Sequence, residues 1–234
     1  MRLTLATEPG TPGWPNEDFA AIGPGAAVLL DGATTVPREA DIGCVHGVAW
    51  YSRTLGTTLL AGITAEPRVS LVTALADAIA QVRDLHQHAC DLSNPLTPAA
   101  TVTAVRAEPE GISYLALSDS SVAADYADGR PPLIVTDRHR GAKASPDAAR
   151  HATTGTLPLE GLRGVTLLSD GATRITDLYD LLAWPAIIDL VRDRGPAELI
   201  RQVRAAEDGD RDCERWPRDK PGDDATIVYW RMEP

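Results

Sequence analysis

The sequence has little cysteine, and its spacing suits no structural metal site. Three cysteines, Cys44, Cys90 and Cys213, are spread over 234 residues, and none forms a CxxC pair. An odd number cannot pair completely, and zinc ribbons need closely spaced ligand pairs. The sequence therefore indicates neither a disulfide framework nor a zinc ribbon, and it predicts reduced thiols.

Basic residues are also scarce, and long apolar runs are missing. Lysine and arginine number 22 against 33 acidic residues, which gives a formal net charge of -11. Nucleic-acid binders need clustered basic residues, so this class of partner is excluded. The apolar runs fall short of the roughly 20 residues that cross a bilayer, and residues 1–10 lack the pattern of a signal peptide. We expect a cytoplasmic protein that binds no membrane.

What is present is enough apolar material for a folded core. Hydrophobic residues make up 44% of the chain and charged residues 24%, which is typical of globular proteins and not of disordered ones. The length fits one large domain or two small ones, and composition alone leaves both open.

The order of apolar runs and turn residues predicts a mixed chain. Strands are expected at residues 19–22 and 26–30 as a hairpin, then a helix over 69–89, and then a meander of strands at 101–107, 112–118, 122–126 and 133–136. Residues 137–156 are interpreted as a surface loop or marginal helix, followed by a strand at 165–168, helices at 178–192 and 196–207, a solvated acidic loop at 208–222 and a last strand at 226–230.

Two aspartates follow buried apolar strands and precede a glycine. These are Asp31 and Asp170. Asp-Gly is a common turn pair, and taken alone each pair is most simply a turn. A carboxylate at the end of a strand is nevertheless held at the edge of the sheet, and the following glycine leaves its carbonyl open. That arrangement suits oxygen ligation of a hard cation.

Other acids are expected at the same edge. The first hairpin places Glu17 opposite Asp31, with Asp18 next to it. Asp223 and Asp224 precede the last strand. If that strand pairs antiparallel with residues 165–168, its start lies beside the second Asp-Gly pair.

Such crowding requires compensating charge. Two unit charges about 4 Å apart repel by about 4 kcal/mol at an effective dielectric of 20, so bound cations must offset the repulsion. An all-oxygen set without histidine or cysteine favours Mg²⁺ or Mn²⁺ over Zn²⁺.

Five short motifs occur in a fixed order along the chain. They are Asn16-Glu17-Asp18, Asp31-Gly32, Ser118-Asp119-Ser120, Ser169-Asp170-Gly171 and Asp223-Asp224-Ala225-Thr226. Each is weak alone, but together, between about residues 4 and 231, they resemble the metal-dependent protein phosphatases of the 2C type. The resemblance implies an α+β fold, a four-layer α-β-β-α sandwich of two antiparallel sheets flanked by helices, formed by residues 1–234 as a single domain.

The resemblance also implies a site and an activity. The implied ligands of two Mg²⁺ or Mn²⁺ ions are the side chains or carbonyl of Glu17, Asp31, Gly32, Asp170 and Asp223. Asp31 would bridge both ions, Asp170 and Asp223 would complete one of them, and Glu17 with the Gly32 carbonyl would serve the other. The implied catalytic residues are Asp31, Asp18 and Asp119. Asp18 would hold ordered water together with Asp224, and Asp119 would bind a weak third ion. The implied reaction is hydrolysis of phosphoserine or phosphothreonine in a protein or peptide by a water activated between the ions, without a covalent phosphoenzyme.

Three positions depart from the family pattern. Gly13 stands where many relatives have a phosphate-gripping arginine, Ala33 where some have a histidine, and Ser118 where the family has glycine. Candidates to replace the missing phosphate contact are Arg38, His46 and Lys220, although each is more simply a solvated surface residue.

These departures keep two alternatives open. One is a catalytically weak relative that retains the fold as a binding or regulatory module. The other is a phosphatase for small phosphorylated metabolites. The sequence identifies neither the substrate nor the oligomeric state.

Overall fold

A computed structural model describes residues 2–33, 43–94, 96–137 and 147–232. Its strands are β1 (Arg2–Glu8), β2 (Phe19–Gly23), β3 (Ala26–Leu30), β4 (Gly32–Ala33), β5 (Ala99–Ala100), β6 (Val102–Glu108), β7 (Gly111–Leu117), β8 (Ser121–Tyr126), β9 (Leu133–Thr136), β10 (Thr153–Pro158), β11 (Leu162–Leu168) and β12 (Ala225–Arg231). Its helices are α1 (Val48–Ala65), α2 (Leu71–His86), α3 (Asp170–Asp177), α4 (Trp184–Arg194) and α5 (Pro196–Asp208), with a 3-10 turn at Ala148–His151. None of the described helices is long and apolar enough to span a membrane.

The strands form two five-stranded antiparallel sheets. The first has the order β1-β12-β11-β8-β9, and the second has the order β10-β7-β6-β3-β2. A short pair, β4 with β5, lies apart from both. The predicted first hairpin is confirmed, as is the antiparallel pairing of the last strand with the strand before α3.

Successive side chains of a strand point to opposite faces of its sheet. One face packs against helices and the other against the second sheet. In β3, Ala26, Val28 and Leu30 pack in a cluster with α1 and α2. Ala27 and Leu29 face the other way and pack between the two sheets. Helices α3, α4 and α5 cover the outer face of the first sheet. The order of layers is helix, sheet, sheet, helix, which confirms the α+β four-layer sandwich.

Helix α1 was not predicted from the sequence, which indicated only strands in this part of the chain. Its buried positions Tyr51, Leu55, Leu59 and Ile63 repeat every four residues, as on one face of a helix. Its start carries no side-chain cap, because Gly47 occupies the N-cap. Helix α2, by contrast, begins at a capping serine and lies within the predicted range.

The predicted meander is wrong at one connection. Strands β6 and β7 belong to the second sheet, whereas β8 and β9 belong to the first, so the chain crosses between sheets at residues 118–120. Residues 137–156 were expected to be loop or marginal helix, but Thr153 begins β10. The helix predicted at 178–192 starts later, at Trp184, after the short α3.

The structure corrects two further expectations, one about the cysteines and one about the loop after α5. Cys44 and Cys90 form a disulfide, so the expectation of reduced thiols is wrong for this pair. The pair is 46 residues apart in sequence, and folding brings the two segments together as an antiparallel bridge. The loop after α5 is not wholly solvated, because Asp210 is buried and accepts a hydrogen bond from Arg218 at 2.6 Å.

Candidate metal centre

Acidic residues from four segments converge where β3 and β11 end. Asp31 directly follows β3. Asp170 is the first residue of α3, and Ser169 separates it from the end of β11. Asp223 lies just before β12, which pairs with β11 from Leu168↔Ile227 onwards. We call Asp18, Asp31, Asp170 and Asp223 the carboxylate cluster, because their charges act on one another.

The register of the first hairpin differs by one residue from the expected one. Phe19 pairs with Leu30, which places Asp18, and not Glu17, opposite Asp31. Glu17 lies beside Gly32: a Cβ added there would come within 2.6 Å of the Glu17 carbonyl oxygen. Only glycine fits this approach, so the hairpin brings Glu17 and the Asp31-Gly32 pair together.

Thr101 fixes the backbone of Asp31. The Thr101 N–H donates to the Asp31 carbonyl at 2.8 Å, and the Asp31 N–H donates to Thr101 Oγ1 at 3.2 Å. Thr101 Oγ1 in turn is 2.5 Å from Ser120 Oγ, and both residues are buried. The third motif therefore supports Asp31 through a residue that the sequence did not single out.

The fourth and fifth motifs are joined in the same way. The Thr226 N–H donates to Ser169 Oγ at 2.9 Å, and the Ser169 N–H donates to the Thr226 carbonyl at 3.0 Å. Thr226 Oγ1 also contacts Thr7 Oγ1 at 2.7 Å. These contacts hold the start of α3 against the start of β12.

Asp224 has a contact that the resemblance did not imply. Its Oδ1 accepts from the Gly10 N–H at 2.7 Å, and its Oδ2 accepts from the Glu17 N–H at 2.6 Å. Each carboxylate oxygen is thus bound to backbone. Asp224 fastens the segment before the first hairpin to the start of β12, and it positions Glu17.

The pKa values of Asp31 and Asp170 are both raised. Burial is the largest cause for each, followed by the charge of Asp170 on Asp31 and of Asp223 on Asp170. A hydrogen bond between the two carboxyls favours the proton on Asp31 and the charge on Asp170. A proton shared between these groups therefore offsets part of their repulsion.

Asp18 is the most isolated member of the carboxylate cluster. It is buried, and neither of its carboxylate oxygens has a hydrogen-bond partner. Burial raises its pKa from 3.8 to about 7, with further increases from Asp224 and Asp170, while Thr226 and Ser169 partly oppose the rise. The hydroxyl groups of Thr226 and Ser169 are engaged in the contacts between the motifs described above.

Asp223 is neutralised by two basic side chains. Arg174 Nη2 lies 2.5 Å from Asp223 Oδ2, and Lys220 Nζ contacts Asp223 Oδ1. The Asp223 N–H donates to the buried Glu207, which also lies 3.7 Å from Arg174 Nη1. No motif in the sequence indicates Arg174 or Glu207, because both are brought here by helix packing.

Asp119 lies at the crossing between the sheets. Its charge raises the pKa of Asp170, so it is within electrostatic range of the carboxylate cluster. Ser118 has φ +70° and donates its hydroxyl to Asp119 Oδ1 at 3.2 Å. Left-handed backbone favours glycine, which explains why the family has glycine where this chain has serine.

The donor oxygens are chemically suited to divalent cations, but in this structure they are not arranged to bind an ion directly. Among the described residues, no three carboxylate, imidazole or thiolate side chains are arranged to hold a metal ion directly. The donors are all oxygen, Asp18 has two orphaned buried oxygens, and protons or basic side chains now offset the negative charge. Buried carboxylates without partners are costly, and bound Mg²⁺ or Mn²⁺ would supply the missing counter-charge.

The missing phosphate contact has a structural explanation. Gly13 has φ +83°, and the Trp14 N–H donates to the Thr11 carbonyl at 3.2 Å, as in a type II turn with Pro12 and Gly13 at its centre. A Pro-Gly turn thus occupies the position of the arginine.

The three candidates to replace that arginine have different surroundings. His46 stacks on Trp50 with ring centroids 4.0 Å apart. Lys220 contacts the carboxylate cluster through Asp223. Arg38 lies outside the described residues.

Comparisons with known proteins agree with this geometry. Residues 11–204 match the family described as Protein phosphatase 2C. No curated protein matches the sequence. Similar solved structures include a PPM Ser-Thr phosphatase of Mycobacterium smegmatis in complex with cacodylate, with 20% identity, TM-score 0.61 and coverage of 100% of this chain and 99% of that chain.

Two other solved structures share the fold. A serine/threonine phosphatase of Staphylococcus aureus has 16% identity and TM-score 0.66 over 99% of this chain and 95% of that chain. A serine/threonine phosphatase of Mycobacterium tuberculosis has 17% identity and TM-score 0.59 over 100% of this chain and 99% of that chain. The structures support the fold, and the match over residues 11–204 establishes the relationship: the chain belongs to the protein phosphatase 2C family.

Proposed function

We propose that this chain is a Mg²⁺- or Mn²⁺-dependent phosphatase that hydrolyses phosphoserine and phosphothreonine in proteins or peptides. The observation that carries the proposal is the crowding of Asp18, Asp31 and Asp170, whose pKa values are all raised. Such crowding of buried acids is typical of a functional site.

The residues proposed to hold two ions are Glu17, Asp31, the Gly32 carbonyl, Asp170 and Asp223, with Asp119 reserved for a weaker third ion. When bound, the ions supply Lewis-acid activation of water and neutralise charge on the phosphoryl oxygens.

The chain itself positions these donors. Thr101 holds the backbone of Asp31 by two hydrogen bonds, one through its N–H and one through its hydroxyl, and Asp224 holds the backbone of Glu17. Because burial and the charge of Asp170 raise the pKa of Asp31, its binding of a cation as an anionic ligand is expected to be coupled to loss of a proton. Asp18 is buried and neither of its carboxylate oxygens has a hydrogen-bond partner, which supports the proposal that it orients a donor such as water.

The test is phosphate release by the purified chain with Mn²⁺. We expect turnover of a phosphothreonine peptide, and we expect Asp31→Asn or Asp223→Asn to lower kcat by at least about a hundredfold. Asp77→Asn, an exposed acid on α2, is the matched control and should retain full activity. Absence of phosphate release from both peptide and aryl phosphate by the unmodified chain would contradict the proposal.

A second candidate is supported by the turn at Gly13. Without the arginine that relatives use, the site has fewer contacts that favour a phosphoprotein over a small ester. Higher kcat/KM for small phosphorylated metabolites than for phosphopeptides would favour this candidate. Metal binding without any turnover would instead favour a regulatory module.

We also propose that the protein acts in the cytoplasm. The reducing conditions of that compartment act against the Cys44–Cys90 disulfide of the folded chain, so this location predicts that part of the protein carries the pair as thiols in the cell. Alkylation of cells with a thiol reagent, followed by mass spectrometry of both cysteines, checks the prediction.

A further inference from the structure

The two basic residues that contact Asp223 are placed differently. The side chain of Arg174 is only 14% exposed and also lies near Glu207, which is 6% exposed. The side chain of Lys220 is 54% exposed, and its ion pair is with Asp223. Arg174 therefore belongs to the buried support of Asp223, whereas Lys220 stands at the solvent side of the same carboxylate.

The loop that carries Lys220 is firmly braced. Arg218, whose side chain is 3% exposed, donates to Asp210 Oδ2 at 2.6 Å, to the Trp216 carbonyl at 2.8 Å and to the Pro221 carbonyl at 3.0 Å. These contacts fix the chain on both sides of Lys220. A side chain on such a loop is positioned in advance, which reduces the entropy lost when it binds a ligand.

The charge of Lys220 also reaches further into the carboxylate cluster. Its ammonium group contacts Asp223 Oδ1, and the charge of Asp31 also acts on it. The ammonium group thus lies near two proposed metal ligands. Gly13 offers no side chain, so the basic group that relatives place there is missing.

We propose that Lys220 binds the phosphoryl group of the substrate and so replaces the arginine lost at Gly13; this inference rests on the proposed function. When Asp223 serves as a metal ligand, its charge is no longer available to Lys220 alone. The anion that can then satisfy the Lys220 ammonium is the phosphate ester. An ammonium group binds phosphate as a point charge with up to three N–H donors.

The proposal predicts effects of opposite sign on metal and phosphate. Lys220 places a positive charge beside a proposed cation site, so removing it should strengthen Mn²⁺ binding. The same removal should weaken the binding of phosphate and of the phosphorylated substrate. A residue that merely supported Asp223 would weaken both when removed.

The experiment compares Lys220→Met with Lys220→Arg and with Arg201→Met. Arg201 is an exposed basic residue on α5, paired with Glu198, and serves as the control for loss of one positive charge. Mn²⁺ and then inorganic phosphate are titrated calorimetrically into each chain, and KM and kcat are measured with an aryl phosphate.

For Lys220→Met we expect the phosphate Kd and the KM to rise about tenfold, with a smaller change in kcat and a Mn²⁺ Kd that is unchanged or lower. Lys220→Arg should retain most phosphate binding, and Arg201→Met should match the parent. Unchanged phosphate binding in Lys220→Met, or weakened Mn²⁺ binding in that variant, would overturn the proposal.

Failure of the proposed function gives a different result. In that case the unmodified chain itself binds no Mn²⁺ or releases no phosphate, whatever residue stands at position 220. An active parent with an unaffected Lys220→Met variant overturns only the assignment of Lys220.

Discussion

Asp18 is buried at the start of the first hairpin, and neither of its oxygens is hydrogen-bonded. Its pKa of about 7 means that the folded chain binds this proton more tightly than the unfolded chain does. For an acid whose pKa is raised on folding, stability falls as pH increases from the unfolded value, near 4, to the folded value, and the loss is complete above about pH 7. Without a cation, the charged form of Asp18 therefore opposes folding.

Asp18→Asn should remove this pH dependence. In the presence of a chelator, we expect the variant to be more stable than the parent by about 4 kcal/mol at pH 8, with little gain at pH 4. The measurement is the free energy of unfolding by guanidinium chloride at both pH values. Parallel pH profiles for parent and variant would show that Asp18 is not the source, and Asp77→Asn should leave the profile unchanged.

The sequence motifs indicated the acidic residues of the candidate site, but not the residues that form hydrogen bonds or ion pairs with them. Asp31, Asp170 and Asp223 are recognisable because they adjoin strands in short motifs. Thr101 and Arg174 are not, since their importance comes from contacts with residues distant in sequence. Only the folded chain shows which hydroxyl or guanidinium group reaches an aspartate.

At the scale of elements, the strands next to the site were predictable. The first hairpin, and the pairing of β12 with β11, follow from apolar runs bounded by turns. Helix α1 was missed because its N-cap is glycine and its sequence is rich in threonine and glycine, which are weak helix formers. The crossing between β7 and β8 was missed because a tight turn looks the same whether the chain stays in one sheet or changes to another.

Two glycines give a matched test of element packing. Gly62 lies within α1 with no atom within 4 Å of an added Cβ, whereas a Cβ on Gly171 would lie 2.0 Å from the Asp224 carbonyl oxygen. We expect Gly62→Ala to raise the free energy of unfolding by about 0.5–1 kcal/mol, because alanine favours helix. Gly171→Ala should lower it by about 2 kcal/mol or more, because α3 and the start of β12 must separate.

Chemical denaturation of both variants provides the measurement. If Gly171→Ala were as stable as Gly62→Ala, the close approach between α3 and the residues preceding β12 would be incorrect. The same variant should also bind Mn²⁺ more weakly, since Asp170 and Asp223 adjoin the contact.

At the scale of the whole molecule, the disulfide ties the segment before α1 to the segment after α2. Cys44 and Cys90 close a loop of 46 residues. Restricting the unfolded chain over a loop of this length stabilises the fold by about 4 kcal/mol. We therefore expect reduction, or the Cys44→Ser variant, to lower the thermal midpoint, as followed by calorimetry. Cys213→Ser should not change it, and an equal midpoint with and without reductant would contradict the assigned pair.

The net charge of -11 also acquires a more specific meaning at this scale. Part of the acid excess is concentrated at one edge, where β3 and β11 end and β12 begins, and there it is offset by a shared proton, Arg174 and Lys220. Composition alone argues against a nucleic-acid partner, but it does not distinguish acids spread over the surface from acids gathered at one edge. The motif order made that distinction, and the contacts gave it a physical basis.

The central proposal is that two divalent ions bind between Glu17, Asp31, the Gly32 carbonyl, Asp170 and Asp223, and calorimetric titration with Mn²⁺ tests it most directly. At pH 7 we predict two ions per chain, with proton release that appears as a dependence of the heat on the ionisation enthalpy of the buffer, because burial raises the pKa values of Asp31 and Asp18 and a bound cation lowers them again. Asp31→Asn should reduce both the stoichiometry and the proton release, while Asp77→Asn should not. A stoichiometry below two in the unmodified chain, or unaltered binding in Asp31→Asn, would contradict the account.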